Sequence, residues 1–206
     1  MLSKLSKFCS FLAILIFEIV YPQPNDNLID SILLSAKSYH FESAKYFVSH
    51  LQSVELQGLL SSDLEYQITG NLPNNIEFDS QNLKDRSSYI ARFLRADLMI
   101  RCEKARDSVI YQQYSKSLRQ AKNTRDTLAV NEIFRRLLWH LFRNSNELET
   151  FQKYLKESGT YAKDNIDLFY NEYYRAGWEM LAIDDSKKGN DTAWFHRTFA
   201  DMYRRT

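Results

Sequence analysis

The chain has 206 residues, 44% hydrophobic and 26% charged, with a formal net charge of +1 at pH 7. This apolar fraction can build a core, which excludes an intrinsically disordered chain, and the near-zero charge argues against a nucleic-acid-binding protein, which usually carries a basic excess. Only 5 Gly and 3 Pro occur, and because the prolines are Pro22, Pro24 and Pro73, most of the chain lacks strong helix breakers and is predicted to be all-α.

Residues 1–23 have the layout of a secretory signal peptide. Lys4 and Lys7 form a positive start, an apolar run follows from Phe8 to Val20, and Pro22 ends it. The run is shorter than the roughly 20 residues that span a bilayer. We therefore expect a secreted or periplasmic protein. The alternative is a retained N-terminal anchor, which would be the protein's sole contact with a membrane.

Removal of residues 1–23 would leave Cys102 as the single cysteine of the chain, with a net charge of zero. One thiol cannot form an internal disulfide, so no disulfide framework is expected. Cys102 is interpreted as a small residue packed between helices rather than as a nucleophile.

Residues 24–80 are predicted to form a helical hairpin followed by an irregular loop. The elements in chain order are a helix at Asn27–Tyr39, a break at His40, a returning helix at Phe41–Leu56, a third helix at Leu59–Gly70 and a loop at Asn71–Ser80. The short break predicts that the first two helices are neighbours. Gly70 is expected to cap the third helix, and Ile68 to lie on its apolar face.

Residues 81–206 are predicted to form three helix pairs. The pairs are Tyr89–Ile100 with Lys104–Lys122, Leu128–Arg143 with Glu147–Ser158, and Ile166–Ile183 with Asp191–Arg205. Their first helices start at Tyr89, Leu128 and Ile166, so the two spacings are nearly equal. A steady period of roughly 40 residues with two helices per unit is typical of a helical solenoid.

These helix pairs resemble tetratricopeptide repeats. The residues that carry the resemblance are Phe134, Leu137, Leu138 and Leu141 in one first helix, Thr150, Tyr154 and Glu157 in its second helix, and Tyr173, Ala176, Gly177, Met180, Ala193 and Ala200 in the next pair. The connector Ala121–Phe134 is similar to those of the extracytoplasmic repeat arrays of bacterial sensor and regulator proteins. The resemblance implies antiparallel helix pairs stacked as an α-solenoid. Leu138 stands where the family has glycine, and the period is longer than the family's value of about 34 residues, so a generic α-solenoid or a helical bundle remains an alternative.

The resemblance also implies a concave wall that binds a partner. Its side chains would be Glu132, Arg135, Trp139 and Phe142 in one unit, and Tyr174, Trp178 and Leu181 in the next. The two tryptophans occupy equivalent positions in consecutive units, and if exposed they would anchor a peptide or a helix. The alternative is that both rings pack between repeats. Adjacent residues diverge by about 100° around a helix, so Arg136 is expected to face solvent while Arg135 faces the groove.

The sequence contains no convincing catalytic, cofactor-binding or metal-binding pattern. The histidines His40, His50, His140 and His196 are scattered without metal-ligand spacing, and the five glycines do not cluster into a phosphate loop. We therefore expect a non-catalytic protein–protein interaction scaffold, as the sensory or regulatory part of a signalling system, with a protein or peptide partner and neither a cofactor nor a nucleic acid. The alternative is a small helical enzyme or ligand-binding bundle with polar residues grouped in a buried pocket.

The helical pattern continues to the last residue, Thr206, without a polar capping helix. An open terminal repeat exposes apolar surface. Three alternatives follow: a homodimer through the C-terminal repeat, capping by the partner, or continuation in a longer chain.

Overall fold

The computed structural model describes residues 25–72, 83–102, 106–143 and 148–182. Every regular element within these ranges is an α-helix, so the all-α prediction is confirmed there. The helices are α1 (Asn25–Lys37), α2 (Phe41–Ser49), α3 (Val54–Thr69), α4 (Asp85–Arg101), α5 (Asp107–Asn123), α6 (Thr127–Arg143), α7 (Leu148–Ser158) and α8 (Asn165–Ala182). The signal-like segment 1–23, most of the predicted loop Asn71–Ser80 and the predicted helix Asp191–Arg205 lie outside the described residues.

The N-terminal helices differ from the prediction at several boundaries, since the first runs from Asn25 to Lys37 and the third starts at Val54 rather than at Leu59. The predicted helix Phe41–Leu56 is divided, because α2 ends at Ser49 and α3 begins at Val54. The Ser53 hydroxyl accepts a hydrogen bond from the Leu56 backbone N–H, which caps the start of α3.

The far end of α3 matches the prediction in its cap and differs in its apolar face. Gly70 has a left-handed conformation with φ 73°, and its N–H donates to the Tyr66 carbonyl, as predicted for a C-terminal glycine cap. Ile68 is 41% exposed, so its predicted inward orientation is wrong. The buried residues of α3 are Leu56, Leu59, Leu60, Asp63 and Leu64, which places Ile68 on the edge of the buried face.

Helices α4 to α8 pack mainly against their sequence neighbours. Each helix from α4 onward contacts the next along the chain, and α6 also contacts both α4 and α8. The break between α5 and α6 is tight, because Arg125 adopts a left-handed φ of 59° and Asp126 donates its N–H to the Ala121 carbonyl. The Asp126 carboxylate then caps α6 by accepting the Ala129 N–H at 3.0 Å.

Helix α1 does not follow the nearest-neighbour order. It contacts α6 as well as α2. Near its start, the Arg86 guanidinium of α4 donates to Asp30 at 2.5 Å and to the Asp26 carbonyl at 2.8 Å. At its end, Lys37 forms ion pairs with Asp164 and Asp167 at the start of α8. In a solenoid each unit contacts only its neighbours, whereas α1 also contacts helices far along the chain.

A close approach between α6 and α8 depends on a glycine. A Cβ atom placed on Gly177 would lie 2.7 Å from Cε2 and 3.0 Å from Cζ of Phe142. The Phe142 ring is itself packed against Phe151 and Tyr174, with ring centroids 5.9 and 6.5 Å away. The ring therefore has little freedom to move away from a side chain at position 177.

We expect Gly177→Ala to destabilise the protein by about 1 kcal/mol, because overpacking at Phe142 costs about 1–3 kcal/mol and the gain in helix propensity returns about 1 kcal/mol. Gly58→Ala is the matched control, since Gly58 lies within α3 with nothing within 4 Å of its Cβ position, and it should stabilise by about 0.5–1 kcal/mol. Urea unfolding of both variants measures the difference. Equal gains in stability would contradict the close approach.

Candidate functional site

A buried ion network joins helices α3, α4 and α6. Its centre is Arg136, whose side chain is only 6% exposed. The Arg136 guanidinium donates from Nη1 to Asp63 at 2.6 Å and to Asp97 at 2.9 Å, from Nη2 to Asp63 at 2.8 Å, and from Nε to Glu132 at 2.6 Å. Three carboxylates thus surround one guanidinium. We call these four residues, together with Arg101, Arg135 and Tyr114, the Arg136 network.

The outer members of the Arg136 network complete its charge balance. Arg135 donates to both carboxylate oxygens of Glu132, from Nη2 at 2.6 and 2.8 Å and from Nε at 3.0 Å. Arg101 donates from Nε to Asp97 at 2.8 Å, and the Tyr114 hydroxyl donates to the other oxygen of Asp97 at 2.9 Å. Three arginines therefore face three carboxylates, and the buried charge within the network sums to zero.

The expected solvent exposure of Arg136 is wrong. Arg136 lies one turn after Glu132 on α6. Its side chain does not reach solvent, because it contacts Asp63 of α3. Asp63 is 73 residues away along the chain. The exposure of Arg136 was inferred from the local helical periodicity, and this periodicity contains no information about a partner so distant in sequence.

The network holds its acids ionised. Burial alone would raise the pKa of Glu132, but the charges and hydrogen bonds of Arg135 and Arg136 outweigh it and lower the pKa to about 2. Burial likewise opposes ionisation of Asp97, and the charges of Arg136 and Arg101 again lower the pKa below the usual range. Burial and the Asp97 charge raise the pKa of the Tyr114 hydroxyl well above its ordinary value.

An open pocket of about 320 Å³ lies beside the Arg136 network. Its aromatic walls are Trp139, Tyr170, Tyr173 and Tyr174, and its remaining lining residues are Gln67, Asp97, Arg101, Arg135 and Arg136. The residues come from α3, α4, α6 and α8. We call this feature the aromatic–arginine pocket.

The aromatic walls of the pocket are held in place by hydrogen bonds and ring contacts. The Tyr174 hydroxyl donates to the Arg135 carbonyl at 2.9 Å, and the hydroxyls of Tyr170 and Tyr39 are 2.8 Å apart. The Arg135 guanidinium carbon lies 5.2 Å from the centroid of the Tyr170 ring, within the range of a cation–π contact. Trp139 is 39% exposed, so part of its ring is accessible to a ligand.

The structure brings together three of the seven predicted partner-binding residues. Arg135, Trp139 and Tyr174 all line the pocket. The others are placed as follows: Glu132 is buried in the Arg136 network, Phe142 packs against Phe151 and Tyr174, Trp178 is partly buried against the core, and the side chain of Leu181 lies outside the described residues.

Other pocket residues were missed by the prediction from sequence. Tyr170 and Tyr173 join Tyr174 on one face of α8, and their i, i+3, i+4 spacing was a signal that could have identified them. Arg101 and Asp97 carried no such signal, because they reach the pocket only through the packing of α4 against α6.

Two features of the described part of the chain bear on its chemistry. No group of three or more His, Cys, Asp or Glu residues there is arranged to hold a metal ion. None of the helices in the described ranges is both long and apolar enough to cross a lipid bilayer.

Comparison with known proteins adds no assignment to this geometry. No protein-family model, no curated protein and no solved structure matches the chain.

Proposed function

We propose that the protein is a non-catalytic, protein-binding helical scaffold whose aromatic–arginine pocket receives a segment of a partner. The observation that carries the proposal is the composition of the pocket, which combines one Trp, three Tyr and three Arg residues. These three residue types dominate the binding energy of protein interfaces, because they offer large contact areas and several hydrogen-bond donors. The anchored walls also support binding, since side chains already fixed lose little entropy when a partner arrives.

The electrostatics of the Arg136 network support binding rather than catalysis. A general acid or base works best with a pKa near the working pH. Glu132 and Asp97 both have pKa values lowered by neighbouring arginines, so they remain ionised and ion-paired at neutral pH. Their role in the proposal is to hold the arginines of the pocket in position.

The proposed architecture is a set of antiparallel helix pairs, α4 with α5 and α6 with α7, stacked as a tetratricopeptide-like solenoid that continues with α8. The contacts between sequence neighbours, and those of α6 with α4 and α8, support it. In this proposal α1 to α3 cover part of the side formed by α4, α6 and α8. An exported location, secreted or periplasmic, and a regulatory role in signalling complete the proposal and derive from the signal-like segment 1–23 and the repeat pattern.

A second candidate is a ligand-binding bundle. The grouping of buried polar side chains beside one cavity favours it, and these side chains are Asp63, Asp97, Glu132 and Arg136. A small molecule would then occupy the pocket in place of a peptide.

Selection of peptides from a random library on the full chain tests the proposed function. Trp139→Ala should weaken binding of the selected peptides at least tenfold, because truncating a central aromatic anchor typically costs about 2 kcal/mol. Val109→Ala is the control, since Val109 is 43% exposed on α5 and does not line the pocket. Affinities measured by calorimetry provide the comparison. Failure to select any peptide, or equal affinity for the Trp139→Ala variant, would overturn the proposal.

A further inference from the structure

Only some of the charged residues of the Arg136 network line the aromatic–arginine pocket. Arg101, Arg135 and Arg136 line the pocket, but among the three carboxylates that neutralise them Asp97 alone does so. Asp63 and Glu132 bind the arginines but do not line the pocket. A group entering the pocket therefore meets a positive lining, although the network as a whole is neutral.

Two of these arginines are bound by their carboxylates through one edge. The hydrogen bonds of Arg135 to Glu132 use Nε and Nη2, and the contacts of Arg101 with Asp97 use the same two atoms. A guanidinium has five N–H donors arranged in a planar fork. The Nη1 groups of Arg101 and Arg135 thus take no part in these two ion pairs, and each remains a hydrogen-bond donor on an arginine that lines the pocket.

The aromatic side chains of the pocket favour an anion that also carries a flat, apolar ring. Trp139, Tyr170, Tyr173 and Tyr174 present aromatic surfaces, which bind another ring through offset or edge contacts worth about 0.5–1.5 kcal/mol per pair beyond the buried area. A volume of about 320 Å³ is large enough for one aromatic side chain with its own carboxyl group.

We propose that the pocket binds the carboxyl-terminal residue of a peptide when that residue is aromatic. The ring would lie among Trp139 and the three tyrosines, and the terminal carboxylate would accept hydrogen bonds from Arg101 and Arg135. A terminal aromatic residue is the peptide element that carries a ring and a carboxylate on the same α-carbon. This inference rests on the proposed function, since it specifies which segment of a partner the scaffold receives.

Calorimetry on the full chain with three matched six-residue peptides tests the inference. One peptide ends in phenylalanine with a free carboxylate, the second is its C-terminal amide, and the third ends in alanine with a free carboxylate. The free acid ending in phenylalanine should bind at least tenfold more tightly than either of the others, and its affinity should fall as the NaCl concentration rises. Because this comparison uses the unaltered protein, it does not depend on whether a variant folds.

Variants then assign the anion contact. Arg101→Gln should bring the affinity for the free acid close to that for the amide. Arg175→Gln is the control, because Arg175 lies on α8, is paired with Glu172 and does not line the pocket, so it should bind the free acid like the unaltered protein.

The outcomes separate the inference from the proposed function. Equal binding of the acid and the amide, with peptides still selected through Trp139, overturns the carboxylate site and leaves the scaffold function intact. Binding of N-acetyl-phenylalanine as tight as that of the peptide overturns the assignment to a peptide and supports the ligand-binding bundle. If library selection yields no peptide at all, the proposed function itself fails.

Discussion

Replacing Arg136 with methionine is expected to lower the free energy of unfolding by about 3–5 kcal/mol. The substitution removes the cation that contacts Asp63, Asp97 and Glu132 together, at 2.6 to 2.9 Å. Asp63 would then be a buried carboxylate without its guanidinium partner. An uncompensated buried charge costs far more than the loss of an exposed ion pair, because the low-dielectric interior cannot replace the missing partner.

Arg175→Met provides the matched control. Arg175 forms an ion pair with Glu172 at 2.5 Å, but its side chain is 38% exposed, and pairs of this kind contribute about 0–1 kcal/mol. Guanidinium unfolding of both variants, with the slope of each transition compared, measures the difference. Losses of similar size for the two arginines would contradict the buried network.

A double substitution checks the mechanism of this loss. Adding Asp63→Asn to Arg136→Met removes one of the uncompensated carboxylates, so it should recover part of the lost stability. Asp63→Asn alone should destabilise, because two hydrogen bonds from Arg136 end on that carboxylate. The two effects should therefore be strongly non-additive, as expected for residues in direct contact. Simple additivity would mean that Arg136 acts through packing rather than through charge.

Stability is expected to fall as the pH drops from about 4.5 to about 2. The pKa of Glu132 is about 2 in the folded protein, against an ordinary value of 4.5. A carboxyl group with a lowered folded pKa stabilises the protein fully above its unfolded pKa, and this contribution is lost as the pH falls through the folded value. The contribution of Glu132 is on the order of 3 kcal/mol. Asp97 acts in the same direction, since its pKa is also lowered.

Comparing Glu132→Gln with the unaltered protein isolates this contribution. The variant should be less stable at pH 7 and should lose less stability on acidification, so the two curves should converge near pH 2. Glu42→Gln is the control, because Glu42 is 89% exposed, and its curve should run parallel to that of the unaltered protein. Thermal unfolding at intervals of half a pH unit gives both curves. A Glu132→Gln curve parallel to the unaltered one would exclude the lowered pKa.

The helices were largely predictable because they depend on local patterns. The helix predicted at Leu128–Arg143 begins one residue earlier in the structure and ends at the same residue. The apolar positions Leu137 and Leu141 recur at helical spacing, and both are buried. The error at Phe41–Leu56 has a local cause too, since Ser53 is an N-terminal capping residue that the prediction did not consider.

The candidate site was predictable in part. Trp139 and Arg135 were assigned to a binding surface from their place on α6, and both line the pocket. Trp178 was assigned by equivalence with Trp139, yet it packs against the core instead. Equivalent positions in sequence have different surroundings when the neighbouring helices differ, and α6 and α8 are packed against different neighbours.

By itself, the sequence determined the helical class and the bounds of α6, α7 and α8 to within one residue, because hydrophobic period, capping residues and the absence of proline act over one or two turns of chain. Only the tertiary structure decided that α1 reaches α6 and α8, that Arg136 is buried, and that its charge meets Asp63 from a helix 73 residues away. These outcomes depend on which helices pack together. The local sequence around an arginine is the same whether its side chain contacts water or a carboxylate of another helix. A charged side chain is buried only where an opposite charge lies beside it, and the packing of the helices determines which residues lie beside it.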